Sequence, residues 1–298
     1  MSGRTIGSAI LILVFGNLFA TFCDVFIKLA GGSVPIFQFT FMRLVMICLV
    51  LAPIALKHIS SDCLAGFKLH FLRGNLWVLA GVLLVVSLSE LSLATANAVF
   101  YIAPILIILF AGFFFKEKIT VGIMCSALSG FIGVLVILRP TELNWSMISA
   151  VLFAVVLATN SLLIRKLPKE QNLFFGLFVM HLCALPLATS LMLWESEPWD
   201  FHGLTYAAGS AICSILYSLA CVKGYRYVAS SQVSSAEYSG LLFAVFFGWF
   251  VFDESIDVFF VFGALFIIVP LAYLSNRDMK KRKAEERLSV VRSQLDAG

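Results

Sequence analysis

The stretch YIAPILIILFAGFFFKEKITV (residues 101–121) returns 137 residues later as YSGLLFAVFFGWFVFDESIDV (residues 238–258). Seven of the 21 aligned positions are identical. Phenylalanine-rich segments match by chance, so the agreement of Tyr101 with Tyr238 and of Glu117 with Glu254 is the most informative part. A repeat at a fixed period predicts two similar structural units in one chain.

The composition indicates that lipid surrounds most of the chain. Hydrophobic residues make up 61% of the 298 residues. Charged residues make up 13%, against about 25% in typical soluble domains. The apolar runs are continuous rather than alternating, which favours membrane-spanning helices over a β-barrel. We therefore expect an all-α polytopic membrane protein with the lipid bilayer as its solvent.

Ten apolar segments can be counted, each close to the roughly 20 residues that span a bilayer. They are residues 7–29, 35–56, 74–93, 96–115, 120–138, 144–164, 173–194, 203–222, 230–252 and 256–275. Five segments fall in each repeat, and an odd number requires the second repeat to be inverted in the membrane. Inverted repeats are typical of carriers that bind substrate near the membrane midplane. We predict a first five-helix repeat at 1–140, an inverted repeat at 141–275, a central cavity between them, and a charged cytoplasmic tail at 276–298.

The distribution of basic residues predicts that both termini are cytoplasmic. With the N-terminus inside, the outer loops contain only Arg139. The inner loops contain ten basic residues: Lys57, Lys68, Arg73, Lys116, Lys118, Arg165, Lys166, Lys169, Lys223 and Arg226. We expect a multi-pass protein of the bacterial inner (plasma) membrane.

Ionisable side chains within apolar segments are candidate functional groups, because each costs about 2.5–3.5 kcal/mol to insert. Asp24, Arg43 and Glu90 lie on three consecutive segments at similar predicted depth. Arg43 keeps its charge and so requires a carboxylate, from Glu90, from Asp24 or from an anionic substrate. The alternative for Arg43 and Glu90 is a salt bridge that only fixes helix packing. Lys28 lies one turn after Asp24, which favours a local ion pair between these two side chains.

A second group of candidates lies on the fourth segment of each repeat. Tyr101 and its repeat equivalent Tyr238 each offer a ring and a hydroxyl to a planar or polar solute, although aromatic packing is the alternative. Glu237 replaces Phe100 of the first repeat and introduces a charge beside Tyr238. Pro104 predicts a helix break in mid-segment, which frees a backbone carbonyl at a carrier site or only kinks the helix.

The order of several short motifs resembles the drug/metabolite transporter superfamily, EamA type. The motifs are Lys28, Pro35 and Arg43, then Ser92-Leu93-Ala94-Thr95-Ala96-Asn97-Ala98 leading to Tyr101 and Pro104, then Lys116-Glu117-Lys118, Gly130-Phe131-Ile132-Gly133 and Leu138-Arg139-Pro140. The second repeat keeps Glu254 but has Leu241 where Pro104 stood. The resemblance implies ten helices in two inverted repeats around a central cavity.

The expected function is secondary active transport by alternating access. The substrate is expected to be a small polar metabolite, anionic or planar in character, moved by an exporter or a proton-linked exchanger. A membrane-embedded enzyme or a non-transporting membrane scaffold is the alternative, although no tight catalytic motif is visible. No cofactor, metal or nucleic-acid partner is expected, since the His and Cys spacing fits no metal site. The protein is expected to be a monomer or a homodimer.

The topology is testable by cysteine labelling. A membrane-impermeant maleimide applied to intact cells should label Ser196→Cys, in the predicted external loop, and leave Ser289→Cys in the tail unlabelled. The unsubstituted protein, with its seven native cysteines, sets the background. Labelling of Ser289→Cys with Ser196→Cys silent would invert the topology.

Overall fold

Helices account for nearly all of the chain that a computed structural model describes, residues 6–31, 34–58, 66–115, 121–138, 144–164, 166–168, 171–225, 236, 239–270 and 273. No strand occurs within these ranges. The helices are α1 (Ile6–Ala30), α2 (Ile36–Ala55) with a 3-10 turn at Leu56–His58, α3 (Phe67–Glu90), α4 (Leu93–Phe100), α5 (Ala103–Phe115), α6 (Val121–Leu138), α7 (Trp145–Ile164), α8 (Leu173–Glu195), α9 (Leu204–Tyr225), α10 (Ser239–Phe252) and α11 (Val258–Pro270).

The predicted fold class is confirmed. Seven stretches of the described residues are long and apolar enough to span a membrane, with α4 and α5 counted together, and three shorter apolar helices accompany them. The repeat period also holds for helix boundaries. A shift of 137 residues moves the start of α2 at Ile36 to Leu173, where α8 begins, and the start of α3 at Phe67 to Leu204, where α9 begins.

The two repeats pack into each other. Helix α1 packs on α9, α2 on α8, and α3 on α7, so each of these pairs takes one helix from each repeat. The shared core includes the buried side chains of Phe39, Leu88, Leu93, Leu241 and Ile267. Large apolar side chains on the outside remain exposed, for example Phe113 at 79%. An exposed apolar exterior around a buried interior is the arrangement expected of a lipid-embedded bundle.

Helix α3 begins earlier than predicted, and this corrects the placement of Arg73. The sequence puts Arg73 in an inner loop before a segment starting at residue 74, whereas the structure places it inside α3, 4% exposed. Its Nε donates a hydrogen bond of 2.9 Å to Asn160 Oδ1. One turn earlier, His70 Nε2 lies 2.8 Å from Gln171 Oε1. These polar partners from the second repeat allow the helix to extend past the apolar segment.

The fourth predicted segment is two helices rather than one. Ser92 caps α4 by accepting a 3.0 Å hydrogen bond from the Thr95 backbone N–H. Helix α4 ends at Phe100, and α5 begins two residues further on at Ala103. Pro104 lies in the first turn of α5. Backbone N–H groups in a first turn have no acceptor within the helix, so the N–H that proline lacks costs no hydrogen bond there. The break therefore lies at residues 101–102, immediately before α5 and two residues before Pro104.

Close packing between the repeats depends on glycine in α3. A Cβ on Gly74 would overlap the backbone carbonyl oxygen of Met180 and lie 3.3 Å from the backbone nitrogen of Ala184 in α8. We expect Gly74→Ala to lower the free energy of unfolding by about 1–3 kcal/mol, because backbone atoms cannot move aside as a flexible side chain does. Thermal unfolding of the purified protein measures this.

The control for that experiment is Gly7→Ala. Gly7 is also helical, but a Cβ added to it would meet no other atom within 4 Å. Alanine there should leave stability unchanged or raise it by up to about 1 kcal/mol, because alanine is the better helix former. Equal melting temperatures for the two variants would contradict the close approach of α3 and α8.

Candidate functional site: a central cavity between the repeats

A cavity of about 800 Å³, counting the open space at its mouth, lies between the two repeats. Seven helices (α1 to α5, α7 and α9) and the α4–α5 break contribute to its wall. The lining side chains recur at intervals of three and four residues, so each helix presents one face. The polar, charged and aromatic members are Asn17, Asp24, Arg43, Trp77, Asn97, Phe100, Tyr101, Phe153, Ser161, Ser214 and Tyr217.

The acidic group of the cavity is Asp24 on α1. Its side chain is buried, and Asn97 Nδ2 donates a 3.0 Å hydrogen bond to Asp24 Oδ2. The same amide nitrogen lies 3.1 Å from the Leu93 carbonyl oxygen, which fixes its orientation. No hydrogen bond to Asp24 Oδ1 is found among the described residues, so half of the carboxylate remains available.

The basic group of the cavity is Arg43 on α2. Its Nη2 donates a 3.1 Å hydrogen bond to Ser214 Oγ on α9. Its Nε is buried and has no hydrogen-bond partner in the described part of the chain. Gly81 faces the guanidinium, since a Cβ there would lie 3.9 Å from Arg43 Nη1. The same Cβ would lie 3.3 Å from Thr40 Cγ2, so glycine allows α3 to approach α2 closely beside Arg43.

The structure does not join Arg43 to a carboxylate. No ion pair within 4.0 Å connects Arg43 with Asp24, although both are described and both line the cavity. Glu90 lies outside the cavity, is exposed, and accepts a 2.9 Å hydrogen bond from Ser146 Oγ. Of the three charged candidates on the first repeat, Asp24 and Arg43 are thus brought together at one site, and Glu90 is not.

The fourth segments contribute the aromatic candidates. Tyr101 lines the cavity at the α4–α5 break, and its hydroxyl lies against Gly240 of α10. Glu237 and Tyr238 lie outside the described residues. The flanking residue Ala236 accepts a 3.0 Å hydrogen bond from Asn17 Nδ2, and Asn17 is itself a cavity residue.

Sequence reasoning missed the polar amides and hydroxyls of the site. Asn17 and Asp24 are seven residues apart, the spacing of one helix face, which is a readable signal within an apolar helix. Ser161 is the residue 137 positions after Asp24, and both line the cavity, so the repeat itself could have indicated Ser161. Ser214 carried no such signal, because its role depends on the position of Arg43.

Smaller cavities continue from the central one towards the end of the bundle at which His70 lies. One of about 320 Å³ shares Trp77, Ser161 and Tyr217 with the central cavity and also contains Arg73. A further one of about 250 Å³ contains Arg73 and His70. Arg73 is thus a second buried cation on this path.

Beyond Asp24, towards the end of α1, an ion pair joins the two repeats. Lys28 Nζ lies 3.2 Å from Glu254 Oε1 and 2.6 Å from the Leu91 carbonyl oxygen. Glu254 also accepts backbone hydrogen bonds of 2.8 Å from Leu93 and 3.4 Å from Ala94, the first residues of α4. The predicted partner of Lys28 was Asp24; the structure corrects this to Glu254, because helix packing brings the end of α10 onto the start of α4.

The sequence profile of the EamA-like transporter family matches residues 7–139 and, in a second copy, residues 144–276. The chain belongs to the EamA-like transporter family. The two matched copies agree with the internal repeat seen in the sequence and in the helix boundaries.

Relatives in the same superfamily are named as transporters of different small molecules. The chain is 26% identical over 274 residues to an S-adenosylmethionine uptake transporter of Rickettsia conorii, covering 89% of this chain and 92% of the relative. It is 25% identical over 282 residues to the pseudopaline exporter CntI of Pseudomonas aeruginosa, covering 90% and 96%. It is 25% identical over 193 residues to a riboflavin transporter of Vibrio cholerae, covering 63% and 64%. The family and these names indicate a transporter rather than an enzyme.

A solved crystal structure has the same fold. It superposes with a TM-score of 0.64 over 91% of this chain and 98% of the other, at 18% sequence identity. At that identity the likeness concerns the arrangement of helices only.

The corrected partner of Lys28 is testable by double-mutant cycles. Lys28→Met and Glu254→Gln should couple by about 1 kcal/mol in thermal unfolding of the purified protein, because each removes the same ion pair. Lys28→Met with Asp24→Asn should give additive effects and serves as the control. If Lys28 couples to Asp24 and not to Glu254, the result would support the pairing expected from the sequence and contradict the one in the structure.

Proposed function

We propose that the protein is a secondary active transporter that moves a small polar metabolite by alternating access, with the central cavity as its binding site. The observation that carries the proposal is that Asp24 and Arg43 line one cavity between inverted repeats without pairing with each other. Unpaired charges at membrane depth are costly and mark substrate or ion pathways. Their retention is explained if a substrate completes their interactions.

The architecture supports alternating access. The Lys28–Glu254 pair ties the repeats together at the predicted external end, while cavities containing Arg73 continue towards the predicted cytoplasmic end. A carrier alternates by rocking one repeat against the other around a fixed site. Breaking and reforming the Lys28–Glu254 pair would then accompany each cycle.

Proton-linked exchange is part of the proposal. Among the described residues that line the cavity, Asp24 is the carboxylic acid. Glu237, next in sequence to Ala236 near Asn17, remains the second candidate for the proton carrier. The relatives include one named for uptake and one named as an exporter, so their names favour neither direction. The bacterial relatives support a place in the inner membrane, and the bias of basic residues in the loops supports cytoplasmic termini.

Counterflow in proteoliposomes tests the proposal. Vesicles preloaded with unlabelled S-adenosylmethionine, riboflavin or a mixture of amino acids should take up the same labelled compound faster than empty vesicles, and uptake should saturate. The same vesicles under an imposed pH gradient should show a changed rate. Arg43→Ala should reduce counterflow at least about tenfold, as expected for loss of a charged contact to the substrate.

Glu90→Gln is the matched control, since Glu90 is an intramembrane carboxylate by sequence but lies outside the cavity. Its counterflow should equal that of the unsubstituted protein. Uptake that neither saturates nor responds to internal substrate would indicate a pore. Normal counterflow in Arg43→Ala would contradict the assignment of the cavity as the transport site.

A further inference from the structure

We infer that the central cavity binds the charged head of a zwitterion, with a cationic amine of the ligand on Asp24 and a carboxylate of the same ligand on Arg43. The inference rests on the proposed function and names the class of substrate for its site. It applies to ligands that carry an amine and a carboxylate close together, as an α-amino acid does.

The first step is the separation of the two charges. Asp24 and Arg43 share one cavity, yet no ion pair within 4.0 Å joins them. Each is instead held by a neutral side chain of its own, Asp24 by Asn97 at 3.0 Å and Arg43 by Ser214 at 3.1 Å. Neutral partners orient the charged groups but do not neutralise them. A ligand that brings both opposite charges would do so.

The second step is the unused hydrogen-bonding capacity. Arg43 Nε is a buried donor without a partner in the described part of the chain. Asp24 Oδ1 likewise accepts no hydrogen bond from the described residues. Gly81 borders this side of the guanidinium, and a Cβ there would lie 3.3 Å from Thr40 Cγ2 and 3.9 Å from Arg43 Nη1. A carboxylate could accept from two guanidinium nitrogens at once, and an ammonium group could donate to Asp24 Oδ1.

The third step is exclusion of singly charged ligands. A simple anion that reached Arg43 would also meet the carboxylate of Asp24, and a simple cation on Asp24 would meet the guanidinium. Like charges in a site of low dielectric repel strongly. A zwitterion satisfies both groups and leaves the occupied site without net charge, which favours its movement through the membrane interior.

The fourth step is the apolar part of the ligand. Trp77, Phe100 and Phe153 line the same cavity, and the rings of Phe100 and Phe153 lie 4.4 Å apart between centroids. Aromatic side chains offer flat apolar surfaces to a planar group. An apolar or planar group of the ligand would lie against these aromatic side chains beside the charged head.

The test uses three probes of matched shape on the purified full-length protein. L-phenylalanine carries both charges, N-acetyl-L-phenylalanine retains only the carboxylate, and L-phenylalanine methyl ester retains only the amine. Binding is measured by thermal shift and by isothermal titration at millimolar probe concentrations. L-phenylalanine should bind about tenfold or more tightly than either blocked probe, because each of those leaves one protein charge without a partner.

Two variants then separate a binding role from a structural one. In Asp24→Asn, the advantage of L-phenylalanine over the N-acetyl probe should disappear, while its advantage over the methyl ester remains. In Arg43→Gln, the advantage over the methyl ester should disappear, while that over the N-acetyl probe remains. Glu90→Gln should bind all three probes as the unsubstituted protein does. A merely structural role would weaken all probes equally and leave their ratios unchanged.

The outcomes distinguish this inference from the proposed function. Absence of binding by L-phenylalanine, or binding no tighter than that of the blocked probes, overturns the zwitterion site even if counterflow of another compound succeeds. Selective binding of L-phenylalanine without counterflow of it or of any tested compound supports the site and overturns transport. A ratio that does not move in Asp24→Asn or in Arg43→Gln overturns the assignment of that residue.

Discussion

The structure depends on one constraint, that hydrocarbon offers no hydrogen-bonding partner to a polar backbone. Helices satisfy this constraint along their length but leave N–H groups unpaired at their starts. Glutamates of the second repeat supply the missing acceptors for two helices of the first. Glu195 accepts from the backbone N–H groups of Phe37 and Gln38 at 3.1 and 2.8 Å, and Glu254 accepts from those that open α4. Capping of helices across the repeats thereby ties the two halves together at one end.

The same constraint explains where irregular backbone is tolerated. The break between α4 and α5 interrupts a segment that must cross the membrane, where irregular backbone facing lipid would be costly. The structure places the break inside the bundle, with Tyr101 9% exposed and facing the cavity. Broken helices lining a cavity are a recurrent feature of carrier sites, because freed backbone groups there meet substrate or water instead of hydrocarbon.

Equivalent positions of the two repeats line the cavity, and the residues that differ between the repeats supply its charged groups. Asp24 and Ser161 occupy equivalent positions on α1 and α7 and both face the cavity. Arg43 corresponds to Met180, which is buried in the core instead. Substitutions at equivalent positions thus place an acid and a base on the first repeat only. Among the described residues that line the cavity, the charges thus lie on one half, which gives the site a direction along which an asymmetric ligand can be oriented.

The sequence by itself determined the helical membrane fold, the repeat period and the family, because these follow from patterns that are continuous along the chain. It also named Asp24, Arg43 and Tyr101, since charged and aromatic groups inside apolar segments stand out without any knowledge of packing. Only the tertiary structure decided which of these groups meet: it removed Glu90 from the cavity, moved Arg73 into a helix and paired Lys28 with Glu254. Those contacts join residues far apart in sequence, and local spacing carries no information about how one helix is rotated against another.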